Sequence, residues 1–164
     1  MLKNWKKRKF LYNRLMFWKK HPKEFFTKQE QERILTEIRR AEERTSGEIR
    51  VHLDRHSGKD TLEKARSIFA RLGMTRTKER NGVLIYVATD HRKFAIVGDE
   101  GIHRVVPEKY WEEVKEKMQK HFREGNFCEG LCLSIREVGE KLQTHFPRAK
   151  MDVNELPDEI SEGE

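Results

Sequence analysis

Cysteine and proline are scarce in this chain, two of one and four of the other in 164 residues. So few cysteines exclude a disulfide-stapled scaffold, and Cys128 and Cys132, one helical turn apart, lack the second Cys/His pair of a structural zinc site. They read as reduced, buried thiols on a helix face. Long apolar runs are missing as well. The longest, Val83 to Ala88, falls far short of the roughly 20 residues a membrane-spanning helix needs. Lys or Arg interrupts every apolar run before Thr27, which excludes the core of a secretory signal. A cytoplasmic protein is expected, one that meets a membrane only peripherally, at its inner face.

Charge of one sign is also absent from each end. Met1 to Lys23 holds nine Lys or Arg and no acid, whereas Asp152 to Glu164 holds six acids and no base. The net charge of +7 therefore resides mainly in the first segment. Three regions follow: a basic, aromatic-rich arm over 1–26, a folded domain over 27–147 and an acidic, solvated tail over 148–164. A chain of this length closes one hydrophobic core and has little room for two.

Within the domain the apolar periods are plain. Thr27-Lys28-Gln29-Glu30 has capping-box spacing and starts a helix with Ile34, Ile38, Ala41 and Thr45 on one face. Glu48 to Asp54 alternates strictly, which predicts a strand near a sheet edge with Ile49, Val51 and Leu53 inward and a polar opposite face. Leu62, Ala65, Phe69 and Leu72 recur at helical spacing up to Gly73. Val83 to Ala88 reads as a central strand buried on both sides. Thr89 to Arg92 turns the chain into an antiparallel partner over Lys93 to Val97. Pro107 opens a helix with the stripe Trp111, Val114, Met118 and Phe122, and Leu131, Ile135, Val138 and Leu142 mark another that ends before Pro147. The fold class is α/β, a small mixed sheet flanked by helices in the order α-β-α-β-β-α-α.

Three stretches carry a resemblance: Thr45-Ser46-Gly47-Glu48-Ile49-Arg50-Val51, then Arg80-Asn81-Gly82-Val83-Leu84, then Arg92 through Gly98-Asp99-Glu100-Gly101-Ile102. Together with Gly125-Asn126-Phe127 they closely resemble the TPM domain family over roughly Phe25 to Pro147, in its stand-alone bacterial, cytoplasmic branch. The resemblance implies a weak acid phosphatase activity, binding of a divalent metal, usually calcium, and an accessory role beside membrane assemblies. It implies no organic cofactor. One position departs from the pattern: many exported relatives carry aspartate before the Asn-Gly pair, and Arg80 stands there in this chain, which weakens the phosphatase implication.

The expected topology brings Glu48, Asn81, Asp99 and Glu100 to one end of the sheet, a set of oxygens of the kind a hard cation takes. By themselves these residues read first as solvated carboxylates and a turn-shaping amide; the resemblance raises the calcium reading beside that. Arg80 offers a third possibility, an internal salt bridge to Asp99 in the cation's place. At the other end Asp54, Asp90, His91 and Arg92, with His52 and His56, read as ordinary surface residues, since His52 and His56 lie about 13 Å apart along an extended strand. No Ser or Cys carries a nucleophile signature and no glycine loop suits a phosphate.

The arm interleaves Trp5 and Trp18 with Lys6, Lys7, Arg8, Lys9, Arg14, Lys19 and Lys20, a mixture suited to an anionic membrane surface and, less so, to nucleic acid. The leading functional reading is an accessory module that binds a calcium ion and a partner protein or anionic surface. The alternatives are a weak metal-dependent phosphatase and nucleic-acid binding through the arm.

Overall fold

The computed structural model describes residues 21–163. In chain order the elements are α1 (Pro22–Phe25), α2 (Lys28–Glu42), β1 (Glu48–Asp54), α3 (Thr61–Arg71), a 3-10 turn at Met74–Arg76, β2 (Gly82–Ala88), β3 (Lys93–Gly98), α4 (Glu100–His103), α5 (Glu108–Arg123), α6 (Phe127–His145) and β4 (Ile160–Glu162). Local chemistry sets the boundaries. Thr27 Oγ1 accepts the Glu30 N–H at 3.2 Å while Glu30 Oε2 accepts the Thr27 N–H at 2.8 Å, a reciprocal cap that satisfies two orphan donors of α2. Asp60 Oδ1 caps α3 through the N–H groups of Leu62 and Glu63. Past α3 and α5 the chain turns through Gly73 and Gly125, at φ 71° and 81°, where a Cβ would be costly.

The sheet runs β3-β2-β1-β4. β1 and β2 are parallel with Glu48 opposite Gly82 and Asp54 opposite Ala88, while β3 is antiparallel to β2 with Val83 opposite Gly98. This is the expected mixed sheet with flanking helices, to which α1, α4 and β4 are additions. One face of the sheet carries Ile49, Val51, Leu53, Val83, Ile85, Val87 and Ile96 into a core built with α2, α5 and α6. The opposite face carries Leu84, Tyr86, Ala88 and Ala95 against Ala65, Ile68 and Phe69 of α3, with Met74. Cys128 and Cys132 are buried free thiols on α6, as expected.

The structure redraws both margins of the domain. Phe25 and Phe26 are buried, and Phe25 packs edge-on against Phe127 at 5.2 Å, so the core reaches back past Thr27. At the other margin the acidic segment does not simply extend into solvent. Ile160–Glu162 adds to β1 as a parallel strand, Ile160 opposite Val51, and Leu156 packs onto the α3 side of the sheet. β1 is therefore an interior strand and all seven of its residues are buried, polar ones included. Strict alternation reports that one face is apolar; it does not say whether the other face meets water or a distant part of the same chain.

Candidate functional site

The loop end of the sheet is organised by Arg80. The chain approaches β2 through a tight turn in which the Arg80 N–H reaches Thr77 O at 3.2 Å and Thr77 Oγ1 accepts the Asn81 N–H at 3.2 Å. Arg80 itself sits at φ 52°, left-handed backbone that a non-glycine residue adopts only when its surroundings hold it there. Gly101 of α4 does the holding: its N–H donates to Arg80 O at 2.9 Å, and a Cβ there would lie 2.2 Å from Glu79 O. That close approach explains the glycine.

The Arg80 guanidinium grips Asp99 by two bonds, Nε to Oδ2 at 2.8 Å and Nη2 to Oδ1 at 2.9 Å. Asp99 Oδ1 also accepts the Glu100 N–H at 2.7 Å, which caps α4. Asp99 is 6% exposed, so the fork closes over a carboxylate that water hardly reaches. The pairing holds the Arg80 guanidinium above its ordinary pKa. Glu100 is tied to Arg104 at 2.5 Å and lies 4.0 Å from Arg80. Asn81 donates from Nδ2 to Ser46 Oγ at 3.1 Å, Ser46 donates to Glu79, and Asn81 Oδ1 is fully buried with no partner.

Of the four residues expected to converge here, the fold brings all to one end of the sheet, but their side chains divide. Asp99 and Glu100 go with Arg80, and Asn81 goes with Ser46 and Glu79. Glu48 turns to the α3 side, where Oε1 accepts the Glu155 N–H at 2.7 Å and Oε2 is buried without a donor. Burial pushes the Glu48 carboxyl up to about 7, with the Glu155 carboxylate adding to it and the Glu155 N–H opposing it. Beside it Glu42, a residue no motif singled out, is 7% exposed; its Oε1 accepts the Ile49 N–H at 2.7 Å. The signal was present in the helix period, since Ile34, Ile38 and Glu42 fall four apart on the buried stripe. Among the described residues no group of three or more His, Cys, Asp or Glu is disposed to hold a metal ion.

The far end is less exposed than expected. His52 and Asp54 are buried beneath the C-terminal segment. Ser161 Oγ donates to Val51 O at 3.3 Å, so the 2.8 Å contact with His52 is an Nδ1–H donating to Ser161, and Nε2 is left as an unpartnered acceptor. Desolvation pushes the imidazole down to about 4. Tyr86 donates to Asp54 Oδ2 at 3.3 Å. His91 Nδ1 accepts the Ser57 N–H at 3.2 Å, and Ser57 is buried, so their contact is a structural pair and not an activated nucleophile. Arg55 holds Asp90 at 3.1 Å. The arm residues Trp5, Lys6, Lys7, Arg8, Lys9, Arg14, Trp18, Lys19 and Lys20 lie outside the described residues.

Comparison with known proteins locates this arrangement. The model of the TPM domain matches residues 20–141. Among solved structures, the NMR structure of BA42 protein from the psychrophilic bacterium Bizionia argentinensis is similar at 45% identity and a TM-score of 0.80, over 85% of this chain and 96% of that one. Among curated proteins no match is found. No helix among the described residues is long and apolar enough to cross a membrane.

Proposed function

The chain belongs to the TPM domain family, and we propose that it serves there as a binding module, with Arg80 in the place where the family implies a cation, and not as a hydrolase. The carrying observation is the two-bond grip of Arg80 on Asp99. A carboxylate that accepts a guanidinium fork and a main-chain N–H has three of its roughly four lone-pair sites committed and its charge already paired. A hard ion or a proton at this carboxylate has to compete with the guanidinium charge while the fork stays closed.

Calcium takes six to eight oxygens, and the residues here fit it only in part. Asn81 Oδ1 is a buried acceptor that no protein donor reaches, which suits a cation, whereas Asp99 and Glu100 are engaged by arginines. In this reading calcium competes with Arg80 for Asp99, and Glu48, engaged by the Glu155 N–H, takes no part. Contact with an anionic membrane surface or a partner protein falls to the basic arm, whose tryptophans suit a headgroup layer.

The test is a calcium titration followed by amide shifts. Arg80→Asp should bind calcium at least tenfold more tightly than wild type, with shifts confined to the loops around Asn81 and Asp99, and Asp99→Asn should abolish the response. Tight calcium binding by wild type would overturn the place given to Arg80 and restore a resident cation, and metal-dependent turnover of a phosphate ester that Asp99→Asn removes would favour the weak phosphatase instead. The arm is tested separately: deleting Met1 to Lys20 should abolish sedimentation with anionic vesicles at low salt.

A further inference from the structure

The polar row of β1 is covered by a strip of chain that is itself acidic, and several buried groups under it lack the donors that carboxylates need. Glu42 Oε2 and Glu48 Oε2 are buried without a partner. Asp158 lies within hydrogen-bonding reach of the Glu42 carboxyl, and Asp158 Oδ1 already accepts the Asn154 amide at 2.7 Å. Glu42 is buried while Asp158 is only partly so, and a buried carboxyl whose one free oxygen faces another carboxylate is held in its protonated form. We propose that residues 155–163 form a proton-gated clasp, in which the protonated carboxyl of the buried Glu42 donates to Asp158 and that bond holds the C-terminal strand on β1.

The clasp has other fastenings, among them the Ser161 bonds to His52 and Val51 and Leu156 packed on the α3 side. β4 pairs with β1 over three residues only. The Gly163 N–H donates to Leu53 O at 2.7 Å, the Glu155 N–H to Glu48, and Arg50 to Glu159 at 2.5 Å. Against these stand the carboxyl contacts. The groups facing Glu42 are Asp158 from the C-terminal segment, Glu48 from β1 and the Ile49 N–H. Arg148 is near, but bonds the main-chain carbonyl of Glu42 and not its carboxyl. Glu48 in turn faces Glu155 and Asp158. No cation among the described residues is paired with either buried carboxyl.

Burial, and next the bond to Asp158, push Glu42 up to about 9 from its ordinary 4.5. A carboxyl whose folded pKa is raised stabilises the docked state while protonated. Its contribution is whole below pH 4.5 and drains away as the pH climbs towards 9. His52 works in the opposite sense: it is docked neutral with its pKa lowered to about 4, so its contribution is whole above its ordinary 6.5 and falls away in acid. Glu48, raised to about 7, loses its contribution in the same direction at lower pH, so the last alkaline step is the one governed by Glu42. Opening uncovers the edge of β1 and the row Glu48, Arg50, His52 and Asp54.

The experiment uses the full chain and follows the Glu42 carboxyl carbon together with the amides of Glu155 and Gly163, from about pH 5 to about pH 10. Glu42 should titrate on the alkaline side of neutrality, and the two amides should move to unstructured positions with the same midpoint while those of β2 stay in place. In Glu42→Gln the side-chain amide supplies a donor that no base removes, and the step at the Glu42 midpoint should vanish. Asp158→Asn places the same donor on the exposed strip, so it reports even where a change in α2 disturbs folding. A Glu42 midpoint near 4.5, or an unchanged alkaline step in both variants, would overturn the clasp.

Discussion

The two faces of β1 are buried to the same extent by different means. On one, Ile49, Val51 and Leu53 meet helices α2, α5 and α6, and the stabilisation scales with the apolar area removed from water. On the other, Glu48, Arg50, His52 and Asp54 are shielded by a strip of 155–163 that satisfies some of their polar atoms and leaves Glu48 Oε2, Arg50 Nε and His52 Nε2 without partners. The first kind of burial tolerates no vacancy but is indifferent to pH. The second contributes less and depends on which groups hold protons, because each unsatisfied buried atom offsets part of what the bonds contribute.

That difference can be tested by substitution. Ile85→Ala, beside β1 on the apolar face and fully buried, should lower unfolding stability by about 2–5 kcal/mol, read from the denaturant midpoint. Glu159→Ala, on the polar side, strips the partner from an Arg50 side chain that is 4% exposed, and should cost about 1–3 kcal/mol. Its effect should appear first as lost exchange protection at Gly163, with β2 still protected. Ser161→Ala removes the acceptor of His52 Nδ1–H and should cost about 1 kcal/mol, again confined to the strip. A Glu159→Ala variant that unfolds the whole chain as readily as Ile85→Ala would show that the two faces are one cooperative unit.

The central architecture was legible because its signals are local. The capping box at Thr27, the alternation of Glu48 to Asp54 and the unbroken run Val83 to Ala88 each specify an element within a few residues. β4 was not legible: Ile160–Glu162 is three residues long, flanked by acids and near Pro157, and it becomes a strand only by borrowing the edge of β1. The surface reading of His52 and Asp54 failed for the same reason, since their cover lies more than a hundred residues away. At the loop site, Arg80 stood out as a departure from the family pattern, and its pairing with Asp99 was among the sequence alternatives. The separation of Glu48 from Asp99 was not, because placing residues at one end of a sheet does not say which partner holds each side chain, Glu155 for one and Arg80 for the other.

The contact between His52 and Ser161 spans 109 residues, and that span has a consequence in time. During synthesis β1, β2 and β3 are available to pair, and α2 to α6 to cover the apolar face, before Ile160–Glu162 has left the ribosome. Because long loops close slowly and late contacts reward nothing until they form, β1 begins life as an open sheet edge with charged residues beside it. Those charges are the kind of group that keeps an unpaired edge from sticking to another. The same polar row that the finished molecule must cover therefore guards the nascent one.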